Sequence, residues 1–271
     1  MRDLLQDDAS DLLRDMADAA GRAGQVLVDA SRARASLKIT EKSAGDFVSE
    51  ADMAAEKVIF DHLQARYPDH GWLGEETGAS KAGTSGLRWV VDPLDGTTNF
   101  LKALPHWAVS IALCDGDTPL AGIIYDPAKN EMFAAEKGGG AYLNGDPIAV
   151  STDVPLQSAL LATGLPAGGR ITYLSHSLDD IAATMPATAG LRRWGAAALD
   201  LAYVAAGRFD CYWERNLGAW DIAAGIVLVQ EAGGRVTPLW QGRSMLASGS
   251  FLASNGSLHD AVAAQLNKGQ V

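Results

Sequence analysis

Trp89-Val90-Val91-Asp92-Pro93-Leu94-Asp95-Gly96-Thr97-Thr98-Asn99-Phe100 is an apolar run ending in two aspartates three residues apart and a Gly-Thr-Thr turn. The run predicts a strand, and the turn can open a helix. Asp92 and Asp95 can then converge at a strand end, where carboxylate and carbonyl oxygens suit a hard cation such as Mg²⁺. The backbone N–H groups of Gly96 and Thr97 would offer an anion site beside such a metal. A plain Pro-Leu-Asp-Gly turn with Asp95 as helix N-cap accounts for the same residues without any metal. Taken alone, the stretch leaves both readings open.

Outward from it, Leu12, Leu13, Met16, Ala19, Ala20, Ala23, Val26 and Leu27 recur at three- and four-residue spacing, as on an amphipathic helix. A second helix is predicted from near Ser49, with Ala55, Val58, Ile59 and Leu63 inward and a stop at Tyr67-Pro68. Short apolar runs predict strands at about residues 88–91, 107–114, 120–125 and 132–135. Helical texture returns at about 195–206 and 221–232; the latter is apolar nearly all round, which predicts burial between layers. Gly233-Gly234 is its natural stop. With no composition break, the chain reads as one mixed α/β (α+β) domain over residues 1–271, which could divide into subdomains at about 1–150 and 151–271.

Three further acidic sites accompany the first. Gly74-Glu75-Glu76-Thr77 follows an apolar Trp72-Leu73 and offers another ligand, or else an exposed loop pair. Asp46 to Asp52 leads into the second helix, where Ser49 and Asp52 also have capping-box spacing. Asp221 opens the buried helix, where it could serve only the helix dipole. Each bland reading stands by itself, but their co-occurrence in this order is not what solvated surface charge produces.

Composition narrows the function. A formal net charge of -11 argues against a broad nucleic-acid surface. A phosphate substrate then requires cations that invert the local potential. No apolar stretch reaches the length of a membrane span, and the acidic opening MRDLLQDDASDLL does not read as a secretory signal. Cys114 and Cys211 are too few for a disulfide framework and read as reduced, buried thiols of a cytoplasmic protein. The five histidines form no ligand cluster and read mostly as surface or loop residues, with His106 close enough to neighbour the Asp-Gly-Thr motif. Asp115-Gly116-Asp117-Thr118 resembles the motif of phosphatases with an aspartate nucleophile, but Pro119 breaks the pattern and a hairpin turn is expected.

Residues 92–100, together with Trp220-Asp221-Ile222-Ala223-Ala224-Gly225, resemble the two signatures of the inositol monophosphatase family of lithium-sensitive, metal-dependent phosphatases. The Gly74-Glu75-Glu76 and Asp46–Asp52 segments resemble two further blocks, as do residues 138–145 and 195–203. The resemblance spans about Leu12 to Gly256 and implies a layered α-β-α-β-α sandwich of the sugar-phosphatase type. By resemblance, Glu75, Asp92 and the Leu94 carbonyl hold one Mg²⁺, and Asp92, Asp95 and Asp221 hold a second. A third ion would lie near Glu75. Thr97, bonded to Asp52, contacts the nucleophilic water. Asp95, Gly96, Thr97 and Asp221 border the substrate, with Glu214 and the backbone of Gly195 and Ala197 on a polyol. Ala196 stands where relatives often have serine or threonine. The implied reaction is hydrolysis of myo-inositol 1-phosphate by a homodimer. Histidinol-phosphate, 3′-phosphonucleotide and fructose-bisphosphatase-like activities are the alternatives, with a non-catalytic regulatory paralogue behind them.

Overall fold

A computed structural model describes residues 2–33, 39–43, 46–166, 171–240 and 242–266; of residues 39–43 and 46–49, Ser49 included, only the backbone is described. Helix α1 (Asp11–Arg32) opens at Ser10, whose Oγ accepts the Leu13 N–H at 3.1 Å while its hydroxyl donates to Glu136. It buries Leu13, Met16, Ala20, Ala23 and Leu27 on one face. Strands β1 (Ile39–Ser43) and β2 (Asp46–Ser49) pair antiparallel and lead into α2 (Glu50–Arg66), which ends just before Pro68, as the sequence predicts.

Next come β3 (Gly71–Gly74), β4 (Gly78–Lys81), β5 (Leu87–Asp95), the short α3 (Thr97–Leu101), β6 (Ala108–Asp115), β7 (Thr118–Asp126), β8 (Glu131–Glu136), β9 (Ala141–Leu143) and β10 (Asp146–Ile148). The strands form one sheet in the order β10-β9-β8-β7-β6-β5-β3-β4. β5, β7 and β8 extend the predicted runs by one to four residues at their ends, and β6 is shifted one residue along its run. Asp115 pairs with Thr118 across the β6–β7 turn, so the Asp-x-Asp-Thr stretch is the expected hairpin. Gly96, at φ 87°, takes the N-cap position of α3 that the metal-free reading assigned to Asp95.

β5 carries the irregularity that matters most. Asp92 pairs with Ser110 and Asp95 with Ala108, so three steps on β5 face two on β6. In a regular strand, residues three apart point to opposite faces. One extra residue at Pro93-Leu94 cancels that alternation and brings both carboxylates to one side. Proline has no N–H for the ladder, which makes this an inexpensive place for a bulge.

The second half contributes β11 (Leu160–Thr163), α4 (Leu174–Thr184), β12 (Gly190–Arg192), α5 (Ala197–Ala205), β13 (Cys211–Glu214), α6 (Ala219–Glu231), β14 (Arg235–Pro238), α7 (Met245–Ser248), β15 (Phe251–Ser254) and α8 (His259–Leu266). Its sheet runs β12-β11-β13-β15-β14. Among the described residues, three apolar clusters fill the four seams between five layers. Trp89, Val91, Val109, Ile111 and Ile123 face α1 and α2. Their neighbours Val90, Ala112, Ile124 and Phe133 face α5 and α6, which also cover Tyr212 and Phe251 of the smaller sheet. Leu161, Cys211 and Leu252 pack against Leu258 and Val262 at α8, with α4 beside it. The order is α-β-α-β-α. α6 is apolar all round because both sheets enclose it, as its composition predicts.

Both cysteines are buried and unpaired, and burial pushes the Cys114 thiol up to about 12. His62, His106 and His259 are buried. His106 lies in a loop as expected, whereas His62 on α2 and His259 on α8 correct the surface-or-loop placement expected of most histidines. No described helix is long and apolar enough to cross a membrane.

Gly122 of β7 lies directly against α6: an added Cβ would sit 2.8 Å from the Ala224 carbonyl and from Val227. Gly122→Ala should therefore destabilise the protein by about 1–3 kcal/mol through overpacking, read as a lower urea midpoint.

Candidate active site

The bulge sets the Asp92 and Asp95 carboxylates at the end of β5, and α6 aims Asp221 at them from its first turn. Among the described residues, one oxygen of each lies within 4.8 Å of the others. Asp221 also accepts the Gly218 N–H at 2.6 Å, which fixes its rotamer at the helix start. Glu75 enters from the β3–β4 turn. Because β3 runs parallel to β5, the Glu75 N–H reaches the Val91 carbonyl at 3.0 Å, and its carboxyl comes within hydrogen-bond reach of the Asp92 side chain, a contact that requires a proton on one of the two. Thr97 Oγ1 lies 3.1 Å from the Leu94 carbonyl oxygen and 3.3 Å from Asp52 Oδ1. Its single proton can serve one of the two at a time. Asp52, wholly buried on the first turn of α2, therefore touches the cluster through Thr97.

Electrostatics makes this arrangement costly without a cation. Burial raises the Asp92 carboxyl well above its usual range, and Glu75, Asp95 and Asp221 raise it further. Asp95 is raised by burial and by Asp221, against a partial correction from the Ala198 N–H. Crowded, buried carboxylates either keep protons or share a positive ion. The donors are all hard oxygens, the Leu94 carbonyl among them, and that chemistry fits a divalent ion of the Mg²⁺ or Ca²⁺ kind.

The facing wall comes from the second half of the chain. Asp95 Oδ2 accepts the Ala198 N–H at 2.7 Å, joining the end of β5 to the first turn of α5. Asn99 Nδ2 donates to the carbonyls of His106 and Trp194, both at 2.8 Å, and so ties α3 to the segment before α5. Between the walls lies a cleft of about 540 Å³. Glu75, Asp92, Leu94, Asp95, Gly96, Thr97 and Asp221 line the carboxylate side, and Gly195, Ala197 and Glu214 the other. Glu214 stands at the end of β13, where its carboxylate accepts the Tyr212 hydroxyl. The predicted metal-holding and substrate-bordering residues thus border the cleft, and Asp52 lies behind Thr97.

Arg193, Arg215 and Asn216 also line it, and nothing in the sequence pattern marked them. The Asn99 clamp is not legible within the leading motif, because it joins the nearby His106 carbonyl to that of Trp194, 95 residues along the chain. His106 contributes its backbone carbonyl to that clamp. Its ring is buried beside Trp194 and Tyr203, 3.5 Å from Asp200, and burial pushes its pKa down to about 4.

Residues 8–270 match the profile of the inositol monophosphatase family. The chain is 44% identical over 233 residues to the inositol-1-monophosphatase of Caulobacter vibrioides, covering 85% of this chain and 91% of that protein. It is 42% identical to the Nus factor SuhB of Escherichia coli, covering 88% of each. The crystal structure of the extragenic suppressor protein SuhB from Bartonella henselae superposes with a TM-score of 0.88 at 42% identity, covering 96% of this chain and all of that one.

Asn99→Ala would leave two carbonyls without their shared donor. Unfolding in urea should show a loss of about 1–3 kcal/mol.

Proposed function

The chain belongs to the inositol monophosphatase family and is a phosphatase, and on that footing we propose that it hydrolyses myo-inositol 1-phosphate with Mg²⁺. The observation that carries this reading is the convergence of the Asp92, Asp95 and Asp221 oxygens within 4.8 Å, beside Glu75, at the floor of the cleft. Glu75, Asp92, the Leu94 carbonyl, Asp95 and Asp221 would hold two Mg²⁺ ions, with room by resemblance for a third near Glu75. When bound, these ions polarise phosphoryl oxygens, acidify water and neutralise charge on the leaving alkoxide.

The protein's own groups do the rest. Thr97 donates toward Asp52, which turns the lone pairs of its hydroxyl oxygen to the cleft to accept a hydrogen bond from water. Asp52, one hydrogen bond further back, orients that hydroxyl and draws the water's proton toward itself. Asp95, Gly96, Thr97 and Asp221 border the phosphate. Gly195 and Ala197 line the polyol side with backbone, and the Glu214 carboxylate accepts from ring hydroxyls. Ala196 offers no hydroxyl to the substrate. A homodimer, a cytoplasmic location and inhibition by lithium belong to the same proposal.

Phosphate release from inositol 1-phosphate, histidinol phosphate and 3′-phosphoadenosine 5′-phosphate, measured in parallel with and without Mg²⁺, tests it. Inositol 1-phosphate should show the highest kcat/KM, and only with the metal. Preference for either competitor replaces the substrate, and release unaffected by Mg²⁺ and EDTA removes the mechanism. Asp52→Asn, Asp95→Asn and Asp221→Asn should each abolish turnover; wild-type rates in all three would rule out this assignment of roles. Glu214→Gln should lower kcat/KM for inositol 1-phosphate by about 10–100-fold, the worth of a hydrogen bond to a charged acceptor. It should spare a generic aryl phosphate that lacks the ring hydroxyls.

A further inference from the structure

Glu56 is a buried carboxylate with no place in that reaction. It lies on α2 four residues after Asp52, so both project from the same face of one helix, and both are shut off from solvent at 2% and 0% exposure. Asp52 meets Thr97, whereas Glu56 meets the turn that carries Glu75. Glu56 Oε2 accepts the Glu76 N–H at 2.8 Å, Oε1 accepts the Thr77 N–H at 3.2 Å, and the Thr77 hydroxyl also donates to Oε1. On the other side of Glu75, a Cβ on Gly74 would lie 2.3–2.6 Å from the Glu56 carboxyl atoms, so the glycine is what admits the carboxylate. Glu75 is therefore bracketed: its own N–H is held by Val91, and the next two residues are held by Glu56.

A loop of this kind supplies a ligand only as well as it is held. Three donors converge on one carboxylate, and a buried anion accepting backbone N–H groups makes strong, directional bonds. We propose that Glu56 is a positioning residue that fixes Glu75 for cation binding, so that a single helix, α2, aligns both the Thr97 hydroxyl and the Glu75 carboxylate. The proposal rests on the metal reading above, with Glu56 acting through the turn and never touching the ion.

The test is calorimetric titration of the purified full-length protein with Mg²⁺, alongside the Mg²⁺ concentration giving half-maximal phosphate release. Glu56→Gln is nearly isosteric, but its amide has one carbonyl for three donors and turns N–H groups toward the others. It should weaken Mg²⁺ affinity by about 10–100-fold, as loss of an outer partner of a ligand does. Half-activation should move by the same factor, and kcat at saturating Mg²⁺ should stay near wild type. Gly74→Ala disturbs the same contact from the opposite side and should shift affinity in the same direction, which keeps the test open if Glu56→Gln folds poorly. If wild type binds Mg²⁺ and the folded variants bind it equally well, with only the melting temperature in EDTA lowered, Glu56 serves packing alone and the proposal is overturned. If wild type itself binds no Mg²⁺, the metal reading falls first and this inference with it.

Discussion

The Asp92, Asp95 and Asp221 carboxylates converge within 4.8 Å, and Asp92 and Asp95 are almost wholly withdrawn from solvent. Two unit charges 4 Å apart repel by about 4 kcal/mol at the effective dielectric of a protein site. Three such pairs would consume most of the 5–15 kcal/mol that typically separates folded from unfolded states. The site is tolerable only when protons or cations relieve that repulsion. An acidic chain of net charge -11 can in this way present a receptive surface to an anion, because the ions its carboxylates gather invert the local potential.

Holding mutually repelling groups together demands anchors that do not depend on the groups themselves. The bulge in β5 is built into the sheet register, Glu75 is tethered by the β5 backbone, and Asp221 is locked by the Gly218 N–H. Asp95 does double duty, since the Ala198 N–H that eases its charge also joins the large sheet to α5. Asn99 makes the same junction by a neutral route. The cleft is thus a seam between the two sheets, and α6 enclosed between them brings the third aspartate to it.

The amphipathic period of α1, the strand runs of the large sheet and the burial of α6 were legible because hydrophobic alternation is a local signal. The carboxylates were legible as an ordered set of motifs. What spacing could not convey was how Asp92 and Asp95 come to share a face: three residues apart on a regular strand they would diverge, and only pairing with β6 shows the extra residue. Asn99 and Glu56 escaped for a related reason. Each is an ordinary polar residue in sequence, and its role exists only through backbone groups brought near by tertiary structure, about 95 and 20 residues away respectively. The histidines misled because a neutral imidazole buries more readily than its charge suggests; His259 satisfies both ring nitrogens on Ser254 and Thr237.

The cleft's two walls also bear on substrate choice. Residues 75–97 and Asp221 gather the carboxylates, whereas Gly195, Ala197 and Glu214 stand where the organic part of the substrate would lie in the proposed reaction. The first group is constrained by repulsion, burial and the bulge, so changing any member alters the charge balance of the whole cluster. The second is constrained mainly by shape, since Gly195 and Ala197 offer backbone and Glu214 ends a strand. Relatives 42–44% identical to this chain carry names as different as inositol-1-monophosphatase and Nus factor. In the proposed reaction the leaving group would meet the side chains across the cleft, Glu214 foremost.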